Sequence, residues 1–289
     1  MGETLKRLAA VPGQRTKRAL ENILGTNWPE VTKELFDITD LQKGSASGTG
    51  LSPAIWSNCP RGAMIFDPTV GRFLGDDFHV WRPTGYGYEL VGTNGTCVAV
   101  AATPDGVVRL TTGATDNDES AITYGNDAAG QIKADATKNW WFEARVKVNQ
   151  IDVALGTFVG LAQETGVDAT LFTDDTMVMA VIDTIGFQRL AATDVAAKWQ
   201  AVMQLAGGAR VAVDTDVGTP STSAWVKLGM KSVLGTVGFY VDGILQATTT
   251  SAATNFPLDQ VMGVCFGIKT GKAAAVTMDI DWWFAAQLR

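Results

Sequence analysis

The sequence predicts an all-β protein: an antiparallel β-sandwich preceded by a short, partly helical N-terminal arm. Three observations carry this. Short apolar runs rich in Val, Thr and aromatics recur between turn signals from about Tyr86 to the end. Several runs alternate with period two: Phe142, Ala144, Val146 and Val148 point one way, and Glu143, Arg145 and Lys147 the other. Asp242-Gly243 then supplies a two-residue type I′ hairpin signal between VGFYV and ILQATTT, because glycine accepts the positive φ such a turn needs.

Taken in order, residues 1–50 read as an arm and linker. Glu3–Ala10 and Lys17–Leu24 are helix-compatible pieces separated by Pro12-Gly13, and Gly25 and Pro29 close the second. Lys6, Arg7, Arg15, Lys17 and Arg18 against Glu3 give the first 18 residues a net charge of +4 (5 − 1). Two readings stay open: a solvated terminus, or an arm that docks on a neighbouring acidic subunit. GSASGTG (44–50) has flexible-linker composition.

Residues 51–289 form the sandwich in this reading, with an aromatic, loop-rich lead-in over about 51–85. There Met64–Asp67 is strand-compatible, and Trp56, Phe66, Phe73, Phe78 and Trp81 are too apolar for a free linker. The runs that follow, from YELVG to VTMDIDWWF, are expected strands. Met177–Ile182 is apolar on both faces and should be covered on both. Asp194–Leu205 also fits helical spacing. In the last run Met278, Ile280, Trp282 and Phe284 are expected to oppose Asp279, Asp281 and Trp283. In the hairpin, Val241 should pair with Ile244 and Phe239 with Gln246. That puts Tyr240 and Leu245 on a second, partly apolar face that needs a partner.

Composition narrows the function. An apolar content of 46% supports a sizeable core, and a net charge of −7 gives no general reason to bind nucleic acid or a membrane surface. Cys59, Cys97 and Cys265 are odd in number and far apart, which reads as buried thiols in a reducing cytosol. MGETLKRLAAVPGQ has no apolar h-region, and no run approaches the roughly 20 apolar residues that span a bilayer. Export would then be by lysis or on a particle.

Chemistry-bearing residues are few. The single histidine, His79, sits among aromatics without a nucleophile elbow and reads as structural. One His and three scattered Cys do not make a conventional zinc site, and no phosphate-binding glycine loop precedes a helix. No cofactor is expected. Asp279 and Asp281 share a strand face at i and i+2, the arrangement a glycosidase carboxylate pair would use. Asp76-Asp77, Asp116/Asp118/Glu119 and Asp174-Asp175 lie near turns and could serve calcium or simply the turns, so the metal stays open. Of nine tryptophans, Trp141 and Trp283 fall on the polar-alternating side of their strands. Either they face solvent or a subunit interface, or a second layer, such as the aromatic lead-in, covers them.

From about Phe73 to Arg289 the chain resembles the concanavalin A-like lectin/glucanase jelly roll. The resemblance rests on FLGDDF, NWWFEARVKV, WVKLGMK, VGFYVDGILQAT and the closing MDIDWWFA. Glucanases of this kind carry a Glu-x-Asp-x-x-Glu strand, and MDIDWW lacks both glutamates, which implies that the chain is not an enzyme. Sandwiches of this type are also similar to head decoration (cement) proteins and tail-fibre modules of tailed bacteriophages. That resemblance implies a virion protein on the capsid exterior, made in the host cytoplasm. Its partners would be the major capsid protein and further copies of itself, often as a trimer. The interface candidates are Lys6, Arg7, Arg15, Lys17, Arg18, Trp141, Tyr240 and Trp283. A carbohydrate-binding host-recognition module and a divergent glycoside hydrolase are the alternatives.

Overall fold

The computed structural model describes residues 50–81, 87–100, 106–125, 132–150, 155–163, 170–173, 180, 182–190, 198–258 and 260–289. The chain divides into two compact units, Met1–Asn58 and Cys59–Arg289. In the first, the described residues include a one-turn helix, α1 (Pro53–Trp56), with proline at its start, where the missing N–H costs nothing.

The second unit is a sandwich of two antiparallel sheets. Sheet 1 runs β14 (Ile244–Thr250), β13 (Thr236–Val241), β12 (Val226–Val233), β7 (Trp140–Val148), β16 (Thr277–Leu288), β4 (Val108–Thr111) and β3 (Thr96–Ala99), and β1 (Gly71–Asp76) also pairs with β16. Sheet 2 runs β11 (Val211–Gly218), β10 (Trp199–Gln204), β9 (Thr184–Arg189), β8 (Leu155–Gln163), β15 (Val261–Thr270), β5 (Glu119–Tyr124) and β2 (Tyr88–Val91), and β6 (Ile132–Lys133) pairs with β15. Strands β7 and β12 alternate as their sequences require: Phe142, Ala144 and Val146 face Met230 and Leu228 in the core, against Ile185, Phe187, Val264 and Phe266 of sheet 2.

Two local expectations change here and two hold. Met64–Asp67 is not a strand, because Arg61–Phe66 forms a helix, α2, that packs on β1; a Cβ on Gly71 would lie 2.8 Å from the Met64 methyl. The helical alternative over 194–205 gives way to strand β10, whose Trp199, Ala201 and Met203 enter the core. In the hairpin, Asp242 and Gly243 take φ values of 50° and 77° and Val241 pairs with Ile244, as a type I′ turn demands. Gln246 is a bulge, so Phe239 pairs with Ala247 instead.

A second bulge matters more. Between Ile280 and Trp282 the pairing of β16 with β7 shifts by one residue at Asp281. A one-residue slip exchanges the faces beyond it. Trp283 and Ala285 therefore enter the core, and Trp282 and Phe284 turn to the outer face, the reverse of the expected alternation. Phe284 stacks on Phe73 at 5.6 Å and lies over Gly75, where a Cβ would come within 2.1 Å of its ring. Most of the segment Met177–Ile182 lies outside the described residues; Ala180 and Ile182 are not in a strand.

Candidate functional site

The lead-in aromatics close one end of the core. Phe78, Trp81, Tyr88, Tyr124 and Trp283 form a chain of ring contacts with centroids 4.9–5.9 Å apart. The Trp283 indole N–H donates to the Tyr88 hydroxyl at 2.8 Å, and that hydroxyl donates to Asp76 Oδ2 at 2.8 Å. Burial, then the Asp76 charge, pushes the Tyr88 phenol far above its usual range. Trp283 is thus a fully buried core residue, which corrects its assignment as an exposed interface aromatic. Trp141 does project from the outer face of sheet 1, but it too is fully buried. Beside it on the same strand face, the buried Glu143 feels the Arg61 guanidinium of α2, so this part of the face already carries a second layer. Tyr240 keeps only 9% of its surface exposed, with the Lys231 ammonium 5.8 Å from its ring centre. Lys6, Arg7, Arg15, Lys17, Arg18 and Asp174-Asp175 lie outside the described residues.

The outer face of sheet 2 is also filled. Ala121, Phe158, Ala162, Val202 and Cys265 project from it and pack with Leu171 and Phe172, which the chain lays across the sheet. Glycines make room: a Cβ on Gly267 would sit 2.2 Å from Leu171 Cδ2. Glu119 clamps this strap. Its buried carboxylate accepts the Leu171 N–H, the Phe172 N–H (3.3 Å) and the Thr170 hydroxyl (2.8 Å). Lys269 Nζ lies 3.7 Å from it and donates to the Phe172 carbonyl at 3.2 Å. Glu119, expected near a turn, is a strand residue of β5, which the sequence reading did not mark. Asp118 beside it accepts the Asn94 amide and the Thr115 N–H, both at 2.8 Å, and these bonds hold its carboxyl below the usual range.

Asp279 and Asp281 share the outer face of sheet 1, as expected, and both are held in ion pairs. Arg109 grips Asp279 with two N–H groups, one at 2.9 Å, and Lys147 approaches at 3.5 Å; Arg145 pairs with Asp281. The same Arg145 and Lys147 lie 4.9 Å from the ring centre of Trp225, so a lattice of charges braces one half-buried tryptophan. Trp225 lines an open groove of about 480 Å³ between the end of β11 and the β13–β14 turn. Asp216, Thr219, Ser221 and Gln246 give the groove a polar rim, and Ile244 gives it an apolar lip. The sequence reading treated Trp225 only as the start of a strand. The Ser/Thr-rich run TPSTSA before it was the available signal that its ring would stay partly open. His79 is exposed, with Nε2 3.7 Å from Asp77. Among the described residues no group of three or more His, Cys, Asp or Glu is placed to hold a metal, and no helix is long and apolar enough to cross a membrane.

No protein-family model and no curated protein matches the chain. Solved structures do match the fold. A GH16 protein of the Bacteroides ovatus mixed-linkage glucan locus, in complex with a G4G4G3G product, aligns at 12% identity and a TM-score of 0.52, covering 73% of this chain and 98% of its own. A family 16 endo-glucanase structure from Bacteroides ovatus gives the same values. The Emp47p carbohydrate recognition domain aligns at 13% identity and a TM-score of 0.49, covering 76% and 97%. The sandwich is a concanavalin-like jelly roll. The expectation that the chain is not an enzyme is corrected here: endo-glucanases are built on this same sandwich, so the fold is one that supports catalysis, and a missing Glu-x-Asp-x-x-Glu strand does not decide the matter.

Proposed function

We propose that the chain is a bacteriophage virion structural protein, a capsid decoration protein that binds the outer shell and stabilises it. The observation that carries this reading is charge separation along the chain. The first 18 residues hold +4 while the whole holds −7, which leaves −11 (−7 − 4) on residues 19–289. A basic segment on an acidic body suits docking of one subunit's arm on the acidic surface of its neighbour, because complementary charge steers and registers such contacts. The covered outer face of sheet 2 supports the reading further, since it leaves the unit's edges and loops for partners there. Many modest contacts repeated over a shell add through multivalency. The test is to exchange Lys6, Arg7, Arg15, Lys17 and Arg18 for glutamate in the full chain. Shell binding should be lost with the sandwich still folded by circular dichroism; binding at wild-type occupancy would sink the idea.

A second reading, saccharide binding, is favoured by the Trp225 groove. A rigidly braced indole face beside hydroxyl, amide and carboxylate groups suits a ligand with an apolar ring face and a polar rim. Glycan-array binding, or turnover of a β-glucan, that vanishes in Trp225→Ala would establish it. Trp141 and Trp283 are the wrong positions to test, because both are buried. An array with no signal for the wild type removes this reading.

A further inference from the structure

One cavity is set apart by its charge. It holds about 180 Å³ and lies where β1 and the end of β16 in sheet 1 meet β6 of sheet 2. Among the described residues seven line it, of which four are cationic, Arg72, Lys133, Lys138 and Arg289, and none is acidic. Lys and Arg make up only 23 of the 289 residues, so seven positions taken at random would hold fewer than one. The cluster also runs against the −11 carried by residues 19–289. Like charges gathered in one cleft repel each other and focus a positive potential there. Backbone contacts hold the four around one floor. Gln287 is nearly buried, and its amide bonds both ways with the Lys133 main chain, accepting the N–H at 3.0 Å and donating to the carbonyl. Arg72 stands opposite Gln287 in the ladder of β1 and β16. The Arg289 N–H donates to the Val70 carbonyl at 3.2 Å, and the Leu288 N–H donates at 3.0 Å to the carbonyl of Asn139, next to Lys138. Asp135, an acid on which both lysines act, has its carboxylate engaged by the Thr137 N–H and hydroxyl, each at 2.7 Å.

We propose that this cavity binds a small dianionic oxyanion, phosphate or sulfate. Charge sets the class: a carboxylate offsets one of the four cations, whereas a dianion offsets two. The guanidinium forks of Arg72 and Arg289 match the oxygens of a tetrahedral ion, and the two ammonium groups add point charges. Size sets the limit. The cavity has room for about six waters at the ~30 Å³ each takes in the liquid, which suits a tetrahedral ion with part of its hydration. It is smaller than the roughly 300 Å³ at which pockets for larger organic ligands begin. A bound ion ties β1, β6 and the end of β16 together, and so links the two sheets at this end.

The site uses neither the N-terminal cations nor the Trp225 groove, so its failure leaves both functional readings untouched. The test titrates inorganic phosphate, and separately sulfate, into the full chain by isothermal calorimetry in a chloride buffer of constant ionic strength. The wild type should bind a single ion with a saturable heat. Its melting temperature should rise with phosphate and not with chloride or acetate at the same ionic strength. Arg72→Gln and Lys138→Gln change exposed side chains, and each should weaken binding by about tenfold, the value of one charge-assisted contact. Without phosphate their melting should be unchanged or higher, because repulsion in the cleft is relieved. If either variant misfolds, Arg289→Gln, also at an exposed position, decides by the same loss of binding. No saturable binding by the wild type, a melting shift that chloride or acetate reproduces, or folded variants that bind as the wild type does would overturn the proposal.

Discussion

Glu119→Gln should cost the sandwich about 3–5 kcal/mol, the range for breaking a buried ion pair on one side. Glu119 and Lys269 are 2% and 6% exposed, so neither charge has water to fall back on. The carboxylate accepts from three donors, two backbone N–H groups and the Thr170 hydroxyl, and faces the Lys269 ammonium as an ion pair at 3.7 Å. Glutamine keeps one acceptor oxygen and turns an NH₂ group toward the remaining donors, leaving the ammonium buried without its counter-charge. Local release of the strap is no cheap escape, because Leu171 and Phe172 are fully buried and would each lose about 1.5–3 kcal/mol of burial. The assay is urea unfolding followed by tryptophan fluorescence. Adding Lys269→Met should return at least about 1 kcal/mol by removing the stranded charge. A cost below about 1 kcal/mol for Glu119→Gln, the value of an exposed pair, together with no coupling to Lys269, would refute the clamp.

Two further outcomes follow from the same geometry. Burial pushes the Cys59 and Cys97 thiols up to about 12 and Cys265 higher still, so none should react with a thiol reagent in the native protein at neutral pH, while all three should react after unfolding; rapid native labelling would show that the burial is wrong. Asp118 has a carboxyl held below its unfolded value, chiefly by Asn94 and then by Thr115, so its contribution is present above the unfolded value of about 3.9 and is lost as pH falls through the folded value. The stability gap between wild type and Asp118→Ala should therefore be constant from neutral pH down to about 5 and narrow below about 4. A gap that does not change with acid contradicts those bonds.

The sandwich was legible because its signals are local. Alternation in β7 and turn chemistry at Asp242-Gly243 each act within a few residues, and both hold in the structure. Trp283 was misplaced because a bulge is a tertiary choice: Asp281 turns out to meet Arg145, and Trp283 takes the core position beside Tyr88, neither of which is visible from spacing two. Trp141 follows its alternation, and of the alternatives left open for it the covered one holds: it is fully buried, and Arg61 of α2, a helix where Met64–Asp67 was expected to be strand, acts on its neighbour Glu143. The groove was invisible for a related reason. Arg145 and Lys147 belong to β7 and Trp225 directly precedes β12, and only the pairing of β12 with β7 brings them together. Charge along the N-terminal segment, by contrast, is a property of the sequence itself.

The most direct test of the proposed function is whether virions carry this chain, quantified by mass spectrometry of purified particles against the major capsid protein. A decoration protein should be present at a copy number of the same order as the shell subunit. Absence from the particles, or only a few copies per particle as for a fibre or tail component, would contradict the account.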